Sequence, residues 1–151
     1  APVAVELRHP AWFDPPHDAR LRDLLEELGV ARVLLDTRPV YECPDDPQIH
    51  SDRQKPRLPL DAHRTTDLTF VRYISHPTVD RNTSYLEAWA DRVTEWLDEG
   101  TEVYFFVHCP LEQKSPGIAR DFQAMLEARE ADVPVLPWNE LPPQLEQGRL
   151  L

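Results

Sequence analysis

The sequence predicts an α/β fold built on a parallel sheet, with polar chemistry gathered at the carboxyl ends of the strands. Two patterns carry this expectation. Four short runs are apolar for most of their length and end in polar side chains just before a proline-marked loop: Val3 to Phe13 (VAVELRHPAWF), Ala31 to Arg38 (ARVLLDTR), Leu68 to Ser75 (LTFVRYIS) and Thr101 to Cys109 (TEVYFFVHC). Segments with apolar residues at helical spacing lie between most of them, and strands that alternate with helices build βαβ units.

The first run sets the design. Val3, Val5 and Leu7 share one side of an extended backbone, while Glu6 and Arg8 fall on the other. Pro10, Pro15 and Pro16 then force a turning path in which Trp12 and Phe13 are apolar anchors. From Asp18 to Leu28 the leucines at 21, 24, 25 and 28 form a stripe expected to face the sheet, and Gly29 is placed to end the helix in the left-handed conformation. Ala31 to Arg38 returns as a strand, so Val3 to Arg38 reads as a right-handed parallel crossover.

From Pro39 to Asp67 no period holds, and prolines stand at 39, 44, 47, 56 and 59. A connection this long in a compact domain is expected to be functional, and residues 39–67 are read as a lid. After the third strand, Ser84 with Glu87 has the spacing of a capping box. Leu86, Trp89, Ala90, Val93, Trp96 and Leu97 make the apolar face of the helix, which Gly100 ends. The fourth strand is almost continuously apolar, as expected of a strand covered on both faces. Ser115 and Pro116 open a helix running to about Arg129, with Ile118, Phe122, Met125 and Leu126 inward. Val133 to Trp138 is a short final strand or an extended packing segment, since Pro134 and Pro137 weaken a central strand.

Composition narrows the function classes. The 151 residues, 41% apolar and 28% charged, suit one soluble domain spanning residues 1–151. The longest apolar run, Val103 to Val107, is too short for a membrane span, and no charged and apolar leader opens the chain, so a cytoplasmic protein without a membrane partner is expected. A formal net charge of −11 argues against nucleic acid as a partner. Cys43 and Cys109 have no CxxC spacing and read as free thiols. Asn82-Thr83-Ser84 matches a glycosylation acceptor, which carries little weight without a leader.

Strand parity proposes a site. If Val5, Leu7, Val33 and Leu35 face the helices, then Glu6, Arg8, Asp36, Arg38 and Arg72 face the other way, with His108 at the matching end of the fourth strand. Ligands of open α/β sheets and of (β/α) barrels sit at that end. Arg8, Arg38 and Arg72, with His9 and Trp12 beside them, favour a small anionic ligand, because guanidinium forks match carboxylate and phosphate. Glu6, Asp36 and His108 are the candidates for proton transfer. The same carboxylates with His9 and His108 could instead hold a divalent metal, although no cofactor is predicted outright, and a third reading makes the charges ion pairs with a structural role only. His17, His50, His63 and His76 read as solvated.

Missing motifs are informative too. Glycine occurs only at 29, 100, 117 and 148, so there is no GxGxxG and no P-loop; HExxH and GxSxG are absent as well. The leading expectation is an acid/base enzyme acting on a small phosphate or carboxylate compound. The alternatives are a metal-assisted phosphodiesterase acting on nucleic acid and a non-enzymatic binding or scaffold protein.

VELRHPAWF, the LLDTRP end of the second run, VRYISHP, YLEAWADRVTEWLDEGTEVYFFVHCP and PGIARDFQAML, in this order and spacing, resemble the bacterial YecE-like family, a domain of unknown function numbered 72. The resemblance covers essentially the whole chain and matches best at Glu6, Arg8, His9, Trp12, Asp36 and Arg72. It implies a (β/α)8 TIM-type barrel of which this chain supplies about four β/α units, the C-terminal half. Half a barrel leaves its first and last strands as open edges, so the chain alone is expected to be marginal, self-associated or an excised piece.

Overall fold

The computed structural model describes residues 1–45, 47–48 and 54–138. Four strands form one parallel sheet in the order β1 (Ala4–Val5), β2 (Ala31–Asp36), β3 (Leu68–Ile74), β4 (Glu102–His108). Sequential order with every pair parallel is what right-handed β/α crossovers generate. β1 and β4 are the two edges.

Among the described residues four α-helices accompany the sheet: α1 (His17–Leu28), the single turn α2 (Arg38–Tyr41), α3 (Thr83–Asp98) and α4 (Ser115–Glu127). Gly29 ends α1 at φ 62°, and its N–H closes onto the carbonyls of Leu25 and Glu26 as the sequence suggests. The core lies between the sheet and α3 with α4. Val71, Tyr73 and Leu34 meet Leu86, Trp89, Val93, Ile118 and Phe122 there, and Phe105 stacks on Phe122 with centroids 4.0 Å apart. Among the described residues no helix is long and apolar enough to cross a membrane.

Several local expectations are corrected. The Ser84–Glu87 capping box does not form, because α3 follows a 3-10 turn over Val79–Asn82 and starts at Thr83, two residues earlier than a Ser84 cap requires, which leaves Ser84 inside it. Glu87 instead pairs with Arg129 beyond the end of α4. Ser115 makes no cap bond within its helix; its Oγ accepts from the Cys109 N–H at 2.9 Å, tying α4 to the end of β4. Of the leucine stripe on α1 only Leu25 is buried, and Leu24 and Leu28 are exposed. α1 flanks an edge strand with a two-residue ladder, too small a surface to cover the stripe. Residues 133–137 form no strand and residue 138 lies in a turn, while Val133 packs against the main core.

β4 overturns the reading that it is covered on both faces. Val103, Phe105 and Val107 point to the helices, whereas Tyr104 and Phe106 remain 44% and 54% exposed. The sheet therefore has a covered face and an open face. Register places Val33, Leu35, Phe70, Arg72, Tyr104, Phe106 and His108 on the open one.

The segment 39–67 is less formless than its sequence. Val40 of α2 and Leu58 pack with Leu35 and Ile74 as a second small cluster, covering the open face over the ends of β2 and β3. Asp61 accepts from the buried Arg32 at 2.6 Å, with Asp18 on the same nitrogen at 3.2 Å and the Phe13 ring 4.9 Å below the guanidinium. The Tyr41 hydroxyl donates to the Lys55 carbonyl across the segment.

Candidate functional site

The parity expected for β2 is wrong, and this divides the expected site in two. Val33 and Leu35 pair with Phe70 and Arg72 on the open face, so Asp36 turns toward the helices. It is fully buried there and accepts from Trp89 Nε1 at 2.7 Å, from Arg38 Nε at 2.9 Å, from Arg38 Nη2 at 2.8 Å and from the Arg38 N–H at 3.1 Å. Arg38 meets it fork to fork and lies over the Tyr85 ring at 5.2 Å. The carboxylate raises the already high pKa of Arg38. Burial pushes the Tyr85 phenol up to about 12, with the Glu42 carboxylate, which accepts its proton at 3.0 Å, adding to the rise. Asp36 and Arg38 are thus a closed pair tying β2 to α3.

The second group forms on the open face at the carboxyl ends of β1, β3 and β4. Glu6 stands just past β1 and is held by Arg72 of β3, whose Nη1 reaches both carboxylate oxygens at 2.9 Å. Arg8 Nε lies 3.5 Å from Glu6 Oε1. Both bonds from Arg72 leave from one nitrogen, so the pair is not matched fork to fork. Among the described residues no partner occupies Nε or Nη2. His108 ends β4, its carbonyl accepting from the Ser75 N–H at 2.7 Å and the Ser75 hydroxyl at 3.1 Å. Burial lowers its pKa, and the positive charges of Lys55 and Arg72 lower it further.

Lys55 was not legible as a member of this group. It sits half-buried in the aperiodic segment, fixed by its N–H donating to Gln48 Oε1 at 2.8 Å. Burial lowers its pKa first and the like charges of Arg72 and Arg8 second, with Glu6 and Glu112 opposing. The sequence holds only two lysines, Lys55 and Lys114, and that scarcity was the one signal available. Lys114 is used elsewhere, donating to the Pro77 carbonyl at 2.8 Å.

The remaining candidates take other places. His9 caps the 3-10 turn Pro10–Phe13, its Nδ1 accepting from the Ala11 N–H at 3.2 Å. Trp12 is half exposed on the outer flank of α1, where it lines a cavity of about 600 Å³ with His17, Arg20, Leu21 and Leu24, none of them in the Glu6 group. His76 is not solvated: it is 1% exposed, accepts from the Thr78 N–H at 2.9 Å and lies 3.4 Å from Asp45, and burial lowers its pKa. His63 meets Glu26 at 2.6 Å. His50 lies outside the described residues. Among the described residues no three His, Cys, Asp or Glu side chains are grouped closely enough to hold a metal ion.

The group thus brings Arg72, Arg8, Lys55 and His108 together around Glu6 at the carboxyl ends of β1, β3 and β4, with Glu6 orienting Arg72.

Comparison with known proteins bears on the fold and its kinship. Residues 1–145 match the family described as protein of unknown function DUF72. UPF0759 protein YecE of Escherichia coli (strain K12) is 27% identical over 136 residues, which are 88% of this chain and 50% of that protein. The same protein of Escherichia coli O157:H7 is 26% identical over the same shares. A solved structure of a DUF72 family protein (EF0366) from Enterococcus faecalis V583 superposes with a TM-score of 0.61 at 19% identity, covering 83% of this chain and 49% of that one. The chain spans about half the length of the curated relatives it matches.

Proposed function

The chain belongs to the DUF72 family of proteins of unknown function, and on that premise we propose that it supplies about four β/α units of a (β/α)8 barrel and binds a small phosphate or carboxylate compound at the carboxyl ends of its strands. The barrel reading is supported by four sequential parallel strands, by two unpaired sheet edges and by an open face lined with large apolar side chains. The same edges support self-association of the isolated chain. The relatives support a bacterial protein, and two free thiols support a reducing, cytoplasmic setting.

The observation that carries the anion site is the unmatched geometry of Arg72. Its guanidinium gives one nitrogen to Glu6 and keeps the edge made by Nε and Nη2, while Arg8, Lys55 and His108 add charge around it. In this reading Arg72 and Lys55 hold the oxyanion, and Glu6 and His108 are the proton-transfer groups if the bound compound is turned over. Asp36 and Arg38 are left out, because their closed pair faces the helices.

His108 gives a pH test. Burial and the cations beside it hold its pKa below the ordinary imidazole value, and a bound anion favours the protonated ring, so binding takes up a proton and tightens as the solution is acidified. Sulfate keeps its charge over this range and isolates the protein's contribution. The expected result in calorimetry is several-fold tighter sulfate binding at pH 6.0 than at pH 7.5, with the difference lost in His108→Asn. Equal affinities at the two values would remove His108 from the site.

The lid reading of residues 39–67 belongs to the same proposal. The segment delivers Lys55 to the cations and lays Leu58 over Leu35 and Ile74. A bound anion would neutralise the repulsion that Lys55 meets there. Limited proteolysis is expected to cut first within residues 41–60 and to be slowed several-fold by saturating phosphate; cleavage there at the same rate with and without phosphate would refute the lid.

A further inference from the structure

Resting on the anion reading, we infer that Lys55 is a nucleophile of this site: its amine condenses with the carbonyl of a small oxo compound that also carries the phosphate or carboxylate held by Arg72.

Side chains hold the Lys55 peptide on both sides. Its N–H donates to Oε1 of the buried Gln48 at 2.8 Å, and its carbonyl accepts from the Tyr41 hydroxyl. Pro56 follows and favours an extended backbone at the lysine, and three residues on, within roughly 10 Å of chain, Leu58 is buried against Leu35 and Ile74. Leu35 is the register partner of Arg72, and Ile74 that of His108. A segment without helix or strand thus presents one lysine to Arg72, Arg8 and His108. β2 and β3 are the two inner strands of the sheet, so this seat is built by elements of the chain itself and not by what completes its edges.

A third fixed cation would repel Arg8 and Arg72, which already charge the site. Arginine cannot relieve such repulsion, because it keeps its proton; lysine can, because an amine gives its proton up when it is desolvated beside other cations. Burial lowers the pKa of Lys55 first, and Arg72 and Arg8 lower it further. Among the described residues no carboxylate or carbonyl is bonded to its Nζ, whereas the Nζ of Lys114, also half-buried, is taken up by the Pro77 carbonyl. A desolvated amine next to cationic groups is the form in which lysine attacks carbonyls.

The groups present balance the step. The nitrogen lone pair forms the N–C bond while the C=O π pair moves onto oxygen, and one proton passes from nitrogen to that oxygen to give a carbinolamine. A second proton, relayed from solvent by His108, lets the C–O bond break, so water leaves and a protonated imine remains. The ligand's own oxyanion on Arg72 offsets the new positive charge. The protonated imine then draws electrons from the neighbouring carbon, whose proton Glu6 can take. Compounds with both groups, 2-oxo acids and hydroxyketone phosphates, are the substrate class.

The test is reductive trapping. Full-length protein is incubated near neutral pH with pyruvate, dihydroxyacetone phosphate or, as a carbonyl without an anion, hydroxyacetone, each with sodium cyanoborohydride, and adducts are located by peptide mass mapping. Binding of inorganic phosphate to the same protein is followed by calorimetry. Holding a carbonyl at the amine raises its effective concentration by orders of magnitude, so one of the anionic compounds should modify Lys55 at least about tenfold faster than Lys114, and faster than hydroxyacetone does. Inorganic phosphate should slow this modification. Lys55 modified no faster than Lys114, or equally fast by hydroxyacetone, while phosphate binds, would overturn this inference and leave the anion site standing. A preferential adduct that phosphate does not slow would also overturn it, since the amine would then act apart from Arg72. Neither phosphate binding nor a preferential adduct would overturn both readings.

Discussion

Asp36→Ala destabilises the fold by about 3–5 kcal/mol in chemical denaturation, the range for removing one partner of a buried charge pair. The carboxylate is fully buried and accepts four bonds, so its loss strands the Trp89 indole N–H and the Arg38 guanidinium together. The indole cannot turn to water without unpacking α3, whose Trp89 packs edge-on against Trp96 at 6.1 Å and Phe105 at 5.7 Å, whereas the partly exposed Arg38 keeps some contact with solvent. Asp36→Asn keeps one acceptor oxygen and retains Trp89 or one arm of Arg38, so its cost should be clearly smaller. A loss below about 1 kcal/mol in Asp36→Ala would mean that the pair does not hold β2 to α3. Because the pair faces away from the Glu6 group, Asp36→Asn should leave anion affinity unchanged.

Arg72→Ala is expected to weaken anion binding by about 10- to 100-fold, the equivalent of 1.5–3 kcal/mol for hydrogen bonds to a charged group. It also leaves Glu6 without its main partner in a half-buried place, so stability should fall slightly at neutral pH. Arg72→Lys separates charge from shape: an ammonium keeps the charge and loses the planar edge, and should recover only part of the affinity. Full recovery would show that charge alone is read. Unchanged affinity in Arg72→Ala would leave the Glu6–Arg72 pair with a structural role only.

Much of the fold was legible because its elements are strongly periodic. The apolar face of α3, the turn at Gly29 and the four strands follow from spacing and from residues with one conformational use. The failures have physical causes. Ala31 to Asp36 is covered on both sides for most of its length, so alternation carried no information and Asp36 was assigned to the wrong face. Tyr104 and Phe106 read as buried because an apolar run does not say whether its second face has a cover. The site was half legible: Glu6, Arg8, Arg72 and His108 stand at strand ends, where position along the chain is enough. Lys55 reaches them from a segment without a period, through a Gln48 side chain and a Tyr41 hydroxyl that no local pattern announces.

The central claim, a site for a small anion at the strand ends, is tested most directly by a thermal-shift titration of the full-length protein. Phosphate, sulfate, sugar phosphates and small carboxylates would be compared with chloride at equal ionic strength. At about a hundredfold over the dissociation constant a ligand stabilises the native state by roughly 2.7 kcal/mol, a shift of several degrees. The account predicts a selective, saturable rise with at least one phosphate or carboxylate compound, lost in Arg72→Ala. No rise with any of them, or the same rise in Arg72→Ala as in the unaltered protein, would contradict it.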